Sequence, residues 1–469
     1  MKEKRATLSQ SLLLLAIIVI ELVVLVRCGA ALQIALFIVW PTAWLFCRIF
    51  QLDYAKAEEA CFDSVRKGLG PIMIMVAVGA LIGAWIASGT IPTLIYYGLK
   101  IINPRFFLLC SLLVTSVMSV ACGTAYGSAA SAGIAMMGVG IAMGIPSGMV
   151  AGAVLCGAVF GDKISPLSDT TNLCPALTGG TLFKHIKTML WTTVPSYLVT
   201  AVIFTILGLK YGAANADTSS AAEVSTLLAS TFHVSPIAPI PAVIVIVLLL
   251  FRVDALPAIE MGALGGVLIA WLYQKVALID AIKMLYNGFS IASGNEVVDK
   301  LLNRGGIGSM ASTIFDMLFA MGVGGMLQGL GVLDNIVAPL LKKIRTLPAL
   351  IGATMVISYL SNMISCAVAT SHVITGNIMA PIYKKMNVAP EVCSRTMEDC
   401  GTCGGILIPW HGNAAYYTGI LGVAFAEYFP YLFLGFLTPV FALVCAFTGI
   451  GIYYNHGKGI QLEAETAAE

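Results

Sequence analysis

Apolar stretches long enough to cross a bilayer recur along almost the whole of this 469-residue chain. A transmembrane helix needs about 20 mostly apolar residues, because the hydrocarbon core is about 30 Å thick. Hydrophobic residues make up 58% of the chain and charged residues 11%, a balance that a soluble core cannot absorb. The sequence therefore predicts an all-α, polytopic membrane protein with about 10–12 transmembrane helices. The apolar windows are 9–26, 31–47, 71–97, 106–121, 125–143, 147–180 (interrupted), 188–210, 236–251, 257–274, 309–333, 348–364, 366–382, 400–422 and 430–454.

Charge and cysteine usage exclude several other classes of protein. The net charge is +2 and the basic residues are scattered over loops, so we expect no nucleic-acid partner. Most of the 12 cysteines lie in apolar windows, where buried thiols are more typical than disulfides. Cys400 and Cys403 form a CxxC pair, but no second pair of metal ligands lies nearby in the sequence. We therefore expect no cofactor.

A polar run over residues 161–172 interrupts one of the apolar windows. A charge at bilayer depth is unfavourable by roughly 2.5–3.5 kcal/mol on insertion scales, so such residues normally face a cavity and a partner. Pro166 would break a helix and free backbone carbonyls, which suit a hard cation such as Na⁺. If the run were helical, Asp162, Ser165 and Asp169 would share one face. The predicted cation ligands are Asp162, Ser165, Ser168, Asp169, Thr170 and Asn172, with a structural salt bridge as the alternative.

A second charged interruption covers residues 394–413. Arg395 precedes Glu398 and Asp399 by three and four residues, a spacing that favours an ion pair within a helix. One of the two acids is therefore predicted to be structural. The other is predicted to form the wall of a substrate site together with Thr402, His411 and Asn413. Lys163 and Arg395 are predicted to supply compensating charge for the two interruptions.

Two hydroxyl-rich, glycine-bearing patches are predicted to be the tips of re-entrant hairpins. Backbone N–H groups at a helix start can hold a carboxylate, and backbone carbonyls can hold Na⁺. Hydrogen bonding between helices by small polar residues is the alternative explanation. The predicted substrate-binding residues are Thr124, Tyr126 and Ser128 in the first patch, and Asn362, Ser365 and Thr370 in the second.

The two halves of the chain resemble each other weakly, and each holds one hairpin followed by one broken segment. Interrupted helices at matching places in two halves point to the midplane site of a transporter. Counting membrane crossings gives the halves opposite orientations. The predicted units are N-terminal peripheral helices (1–52), repeat 1 (53–210, hairpin 106–143, broken helix 147–180), an external loop with linking helices (211–274), repeat 2 (275–455, hairpin 348–382, broken helix 400–422) and a tail (456–469).

The placement of lysine and arginine predicts the orientation in the membrane. The N-terminus and residues 48–67 are expected to be cytoplasmic, and the loop at 211–235, which has no lysine or arginine, external. Lys184, Lys187, residues 342–345, Lys384, Lys385 and the C-terminal tail are then cytoplasmic. We expect a multi-pass protein of the bacterial inner membrane in contact with lipid, and the sequence leaves a homodimer open.

The run from Gly161 to Asn172 resembles the signature of the NhaC-type sodium:proton antiporter family. Further likeness lies at 301–310, 394–402 and 407–423, and it extends over roughly residues 60–425. The resemblance implies inverted repeats with hairpins, and secondary transport driven by ion gradients without ATP. The chain departs from the family pattern at 366–369 and at 411–413. Simple sodium:proton antiporters there carry acid or amide side chains and Asn-Thr-Cys, respectively.

These observations predict a Na⁺/H⁺ antiporter that works by alternating access, with Na⁺ and H⁺ as the coupling ions. Some relatives in the family exchange malate for lactate, or amino acids. The alternative is therefore a Na⁺- or H⁺-coupled exchanger of a small carboxylate or amino acid. A channel is less compatible with paired, charged interruptions. We expect no enzyme, since the polar residues offer no set of nucleophile, base and orienting group.

Overall fold

The computed structural model describes residues 6–214, 218–341 and 344–456, and these residues are almost entirely helical. Lys2, Lys4, Arg5, Lys342, Lys343 and the tail beyond His456 lie outside the described residues. The helices are α1 (Leu8–Arg27), α2 (Leu32–Phe50), α3 (Tyr54–Ala87), α4 (Thr90–Ile101), α5 (Phe107–Cys122), α6 (Ala125–Ser128), α7 (Ile134–Ala142), α8 (Ser147–Ile164), α9 (Asp169–Thr178), α10 (Leu182–Ala214), α11 (Thr218–Thr231), α12 (Ile240–Leu250), α13 (Ala255–Leu272), α14 (Leu278–Asn287), α15 (Glu296–Leu302), α16 (Ala311–Gly329), α17 (Val332–Leu341), α18 (Leu347–Ser365), α19 (Val368–Lys385), α20 (Pro390–Cys400), α21 (Thr402–Gly405), α22 (Gly412–Leu421), α23 (Phe425–Tyr428) and α24 (Phe433–Thr448).

Within the described residues, ten helices are long and apolar enough to cross a membrane. Phe425–Tyr431 and Phe433–Thr448, which meet at a bend of 44°, make an eleventh span if they count as one. These helices confirm the predicted all-α, polytopic class and the predicted number of spans. The opposite orientation of the two halves and the re-entrance of the hairpins stay predictions.

Helix α3 shows where the hydropathy windows misjudged an element. The window 71–97 covers only its apolar part, whereas the helix begins at Tyr54 and runs for 34 residues. The polar first half of α3 carries exposed charges, such as Asp63 and Arg66, and lacks the apolar signal of a lipid-facing helix. The helix then ends at Ala87 rather than 97, because Gly89 takes a left-handed conformation with φ of 72° before α4 starts.

The order of elements in the two halves is similar, and the breaks match. A left-handed Gly89 separates α3 from α4, and a left-handed Gly331 with φ of 72° separates α16 from α17. Gly123, with φ of 69°, ends α5 before the hairpin turn, and Cys366, with φ of 54°, ends α18 in the same way. After each hairpin comes a helix that breaks, at residues 165–168 and at residues 406–411.

The two halves interlock rather than lie side by side. The larger apolar core gathers α3, α5, α7 and α8, yet it also takes in Tyr416 and Ile420 from α22. The second core gathers α1, α2 and α16–α20, yet it takes in Cys174 from α9. Each broken helix thus sends its second segment into the core of the other half. The polar breaks are thereby brought together between the cores.

Candidate functional site

The first polar break is held in shape by most of its own polar side chains. Helix α8 ends at Ile164, and the next helical residue is Asp169, so residues 165–168 are not helical. The shared helical face considered for Asp162, Ser165 and Asp169 therefore does not form. The Ser165 hydroxyl donates to the Val120 carbonyl over 2.8 Å, and the Asn172 side-chain amide donates to the Ser168 carbonyl over 2.8 Å. The first bond ties the break to the last turn of α5, and the Asn172 amide also donates to the Pro166 carbonyl inside the break over 3.0 Å.

Helix α8 approaches α5 closely enough to position Asp162 beside the first hairpin tip. A Cβ atom at Gly157 would lie 2.3 Å from the Leu112 carbonyl oxygen, and one at Gly161 would lie 2.5 Å from that of Ser116. Only glycine permits this contact between backbones. The Asp162 carboxylate consequently lies within hydrogen-bonding reach of the Ala125 N–H group and the Ser168 hydroxyl.

The second polar break is held by a chain of hydrogen bonds that includes His411. The Asn413 backbone N–H donates to His411 Nδ1 over 3.0 Å, so Nδ1 is an acceptor and the ring proton is on Nε2. His411 Nε2 lies 3.2 Å from Asn362 Oδ1, and the Asn362 amide donates to the Gly401 carbonyl over 3.1 Å. Both ring nitrogens are thus occupied in the neutral form. His411 caps α22 and positions Asn413.

A cavity of about 120 Å³ lies where the two breaks meet the two hairpin tips. Asp162 is half-buried in its wall, whereas Asp169 is exposed at its rim. Among the described residues that line it, none carries a positive charge. Eight of the predicted site residues are brought together here: Thr124, Tyr126, Asp162, Ser168, Asp169, Thr170, Thr402 and Asn413.

A buried ion cluster lies behind this cavity, and its four members are all fully buried. Lys163 forms an ion pair with Asp399 of the second interruption. It does not pair with its sequence neighbour Asp162. Asp399 Oδ1 also accepts a hydrogen bond of 2.8 Å from Thr192, and Asp399 Oδ2 lies 3.8 Å from Arg395 Nε. Asp399 is therefore the acid with the structural partners. Glu398 is the fourth member and accepts a hydrogen bond from Thr402, which lines the cavity.

The remaining predicted residues lie outside the cavity wall. Ser128 and Ser365 bond to backbone carbonyls of their own hairpin tips. Thr370 lines a different cavity of about 420 Å³, together with Lys56 and Asp63. Ser165, Asn172, Asn362 and His411 hold the breaks, and Lys163, Arg395, Glu398 and Asp399 form the ion cluster.

Five lining residues are absent from the set predicted from the sequence: Gly123, Ala125, Val159, Val368 and Tyr417. Tyr417 follows Asn413 by one helical turn, a spacing that could have revealed it once α22 was known to be a helix. Val368, the first residue of α19 in the second hairpin tip, offers only an apolar side chain and gives no sequence signal. Val368 lies in one segment where the chain departs from the pattern of simple sodium:proton antiporters, and Tyr417 lies one helical turn after the other.

The fold and the cavity together define a class of protein. Broken helices from both halves bring carboxylates, hydroxyls and an amide to a cavity inside a polytopic helical membrane protein. Such convergence of interrupted helices is the architecture of an ion-coupled secondary transporter.

Comparison with known proteins gives the family. The model of the Na⁺/H⁺ antiporter family matches residues 157–450, and the chain belongs to this family. The chain is 39% identical over 431 residues to the malate-2H⁺/Na⁺-lactate antiporter of Bacillus subtilis, a match that covers 92% of each chain. It is 38% identical over 456 residues to the Na⁺/H⁺ antiporter NhaC of Alkalihalophilus pseudofirmus, covering 96% of this chain and 97% of the relative. The family confirms the resemblance and the function predicted from the sequence, a secondary antiporter of the Na⁺/H⁺ class.

A more distant relative is the arginine/ornithine antiporter ArcD of Halobacterium salinarum. It is 30% identical over 477 residues, which cover 99% of this chain and 97% of the relative. Among solved structures, that of the MtrF efflux pump of Neisseria gonorrhoeae aligns over 84% of each chain with a TM-score of 0.35 and 13% identity. The family thus includes relatives named for inorganic ions and relatives named for organic solutes.

Proposed function

We propose that this chain exchanges Na⁺ for H⁺ at the cavity between the two broken helices, with Asp162 as the shared carboxylate. The observation that carries the proposal is the lining of the cavity. It joins two carboxylates with hydroxyls and an amide, and the described part of the lining has no cationic side chain. Oxygen ligands of this kind suit a hard cation, whereas an organic anion would call for positive charge.

The positions of the two acids suggest a division of roles between them. Asp162 is half-buried, with the Ser168 hydroxyl and the Ala125 N–H group within reach, so it can hold a desolvated cation in a fixed geometry. Asp169 is exposed at the rim, in the first turn of α9, where it can attract cations from solution. Oxygens that bind a proton cannot bind Na⁺ as well, so the two ions compete for Asp162. Competition at one carboxylate is sufficient to couple their fluxes when the cavity opens to one side at a time.

The buried ion cluster supports this proposal, because its two cationic side chains pair with Asp399 and do not compete with Na⁺ for Asp162. Lys163 is committed to Asp399, and Arg395 donates to the Gly451 carbonyl over 2.9 Å besides facing Asp399. The pair Lys163–Asp399 joins α8 of the first half to α20 of the second. The cluster therefore ties the two broken helices together and leaves Asp162 without a cationic partner among the described residues.

Exchange of an organic solute is the second function that we consider, and a specific observation favours it. Val368 and Asn413, which line the cavity, lie in the two segments where the chain departs from simple sodium:proton antiporters. The relatives named for malate and lactate and for arginine and ornithine cover most of the chain. Under this alternative, Tyr126, Tyr417 and Asn413 would contact the solute.

Further proposals concern the arrangement in the membrane. We propose that repeat 1 and repeat 2 are inverted relative to each other, with 106–143 and 348–382 as re-entrant hairpins. Both termini would be cytoplasmic and the loop at 211–235 external, in a bacterial inner membrane. A thiol reagent that does not cross the membrane, applied to intact cells, would test the orientation: a single cysteine at Thr231 in the external loop should react, and one at Lys384 should not.

Transport in proteoliposomes tests the proposed exchange. The purified protein is reconstituted with a pH-sensitive dye inside, and external Na⁺ is added without any organic solute. We expect internal alkalinisation, since each Na⁺ that enters drives protons out. Asp162→Asn should abolish the signal. Asp280→Asn should retain it, because Asp280 lies in an exposed pair with Lys283.

The same vesicles distinguish the alternative. Labelled malate, lactate and arginine are offered with and without a Na⁺ gradient. If alkalinisation requires one of these solutes, and if labelled solute enters only with Na⁺, the organic exchanger replaces the Na⁺/H⁺ antiporter.

A further inference from the structure

Three chemically distinct side chains converge behind the cavity wall. A thiol of Cys174, a ring nitrogen of His372 and a carboxylate oxygen of Glu398 all lie within 4.8 Å of one another. All three residues are fully buried. They come from α9, α19 and α20, so no single helix accounts for their meeting.

The polar atoms of this cluster are not fully used by the protein itself. Glu398 Oε1 and His372 Nδ1 have no hydrogen-bond partner among the described residues. The Glu398 carboxylate faces the Cys174 thiol. A buried polar atom without a partner is unfavourable by about 1–3 kcal/mol, so such atoms call for an explanation. A ligand bound between the Glu398 carboxylate and the other two side chains would give Oε1 a partner.

The donor set indicates what that ligand is. Thiolate, imidazole and carboxylate together are ligands of Zn²⁺ and of similar borderline-soft divalent cations. Na⁺ and other hard cations prefer oxygen ligands and would gain nothing from the thiol. The chemistry of this cluster thus differs from that of the neighbouring cavity, although Thr402 contacts both. The Thr402 hydroxyl donates to Glu398, lies 3.2 Å from His372 Nε2 and lines the cavity.

We propose that Cys174, His372 and Glu398 form a binding site for a Zn²⁺-like divalent cation that clamps α9 of the first half to α19 and α20 of the second. Three protein ligands leave the fourth tetrahedral position for water. The cation would reach the site through the cavity, past Thr170 and Thr402. A bound cation restrains the motion between the halves and so inhibits transport. The inhibition rests on the proposed function, whereas the binding does not.

Binding is tested on the purified full-length protein with metal alone. Co²⁺ titration should give a thiolate charge-transfer absorption at one equivalent, and Zn²⁺ should displace it. Cys174→Ser should lose the absorption. Loss of a residue that only supports a metal ligand typically weakens metal binding by ~10–100-fold. Because His372 is a proposed ligand itself, His372→Gln should weaken binding by at least that factor. The matched control is Cys47→Ser, since Cys47 is also buried but lies in α2, and it should bind normally.

X-ray absorption at the zinc edge of the wild-type protein gives a test that needs no variant. One sulfur at about 2.3 Å, with nitrogen and oxygen ligands at about 2.0–2.2 Å, is expected. A first shell without sulfur, or a Zn²⁺ stoichiometry that Cys174→Ser leaves unchanged in folded protein, would overturn the proposal.

Inhibition is then measured in the transport assay. Micromolar Zn²⁺ should reduce antiport by the wild type and by Cys47→Ser, and should have at least tenfold less effect on Cys174→Ser. A wild type that binds Zn²⁺ through sulfur but shows no Na⁺/H⁺ exchange leaves the site standing and refutes the proposed function. If the wild type exchanges Na⁺ for H⁺ but binds no Zn²⁺, the proposed function is supported and the proposed metal site is refuted.

Discussion

The phenol hydroxyl of Tyr126 donates a hydrogen bond of 2.6 Å to Asn413 Oδ1, 287 residues further along the chain. The bond joins the first hairpin tip to the first turn of α22 across the wall of the cavity. The Tyr126 ring also packs against Tyr416, with the ring centroids 4.3 Å apart. Movement of one half against the other must therefore break or shift this contact.

Tyr126→Phe should weaken Na⁺ binding without unfolding the protein. The substitution keeps the ring packing and removes one hydrogen bond, which typically contributes ~0.5–1.5 kcal/mol, or up to about tenfold in affinity. We expect the Na⁺ concentration for half-maximal antiport to rise by up to that factor, with an unchanged melting temperature. Tyr453→Phe is the control, because its hydroxyl accepts a hydrogen bond from Trp191 outside the cavity. Equal effects of the two variants would contradict the role of Tyr126.

Replacement of the two cavity acids should give different kinetic defects. Asp162→Asn should abolish antiport at any Na⁺ concentration, because the half-buried carboxylate is the shared site for both ions. Asp169→Asn should raise the half-saturating Na⁺ concentration while leaving most of the maximal rate, since Asp169 is exposed at the rim. Raised ionic strength should reduce the defect of Asp169→Asn, as salt screens exposed charges. A complete loss of transport in Asp169→Asn in well-folded protein would contradict this division.

Antiport should depend on pH in the way that competition requires. As the pH falls, protons occupy the shared carboxylate in a growing fraction of molecules. The half-saturating Na⁺ concentration should therefore rise, while the maximal rate at saturating Na⁺ should change little. Initial rates over a grid of pH and Na⁺ concentration measure both quantities. A maximal rate that falls with pH while half-saturation stays constant would indicate separate sites for the two ions.

The pair Lys163–Asp399 should be essential to stability, and its two members should be strongly coupled. Lys163→Met leaves a buried carboxylate without its main partner, a change that typically destabilises by about 3–5 kcal/mol. The double variant Lys163→Met with Asp399→Leu should recover much of this loss, because both charges are then removed. Melting curves in detergent for the two single variants and the double variant measure the coupling. Lys283→Met removes one member of an exposed pair and should change stability by less than about 0.5 kcal/mol.

The close contact of α8 with α5 should make Gly161 intolerant of even a methyl group. A Cβ atom there would lie 2.5 Å from a backbone oxygen, so Gly161→Ala must push the helices apart. Overpacking of this kind typically costs about 1–3 kcal/mol, and it should also displace Asp162 and weaken Na⁺ binding. Gly352→Ala is the matched control, because a Cβ atom at Gly352 would meet nothing within 4 Å. It should leave stability unchanged or improve it, since alanine favours helix.

The existence of the helices could be predicted from the sequence more securely than their ends. Continuous apolar residues predict lipid-facing helices, and the helix predicted at 9–26 is confirmed as Leu8–Arg27. The polar start of α3 at Tyr54 was missed because hydropathy reports contact with lipid rather than helical structure. The end of α3 was misplaced because Gly89 takes a left-handed conformation and stops the helix, although apolar residues continue on both sides of it.

The parts of the site that depend on neighbouring residues in the sequence could be predicted. Pro166 and the surrounding charges marked the break, and eight of the named residues meet at one cavity. The partner of Lys163 could not be found in this way. Asp162 is adjacent in sequence but points to another side of α8, while Asp399 lies 236 residues away. Similarly, Cys174 lies in a segment whose packing against the second core only the assembled structure shows.

The two hairpin turns have the same backbone shape but unequal tolerance for it. Gly123 adopts its left-handed conformation without steric penalty, whereas Cys366 holds φ of 54° with a side chain attached. A residue with a Cβ atom pays roughly 1–2 kcal/mol for that conformation. The second turn therefore carries backbone strain that the first does not, so two turns of similar shape are energetically unequal.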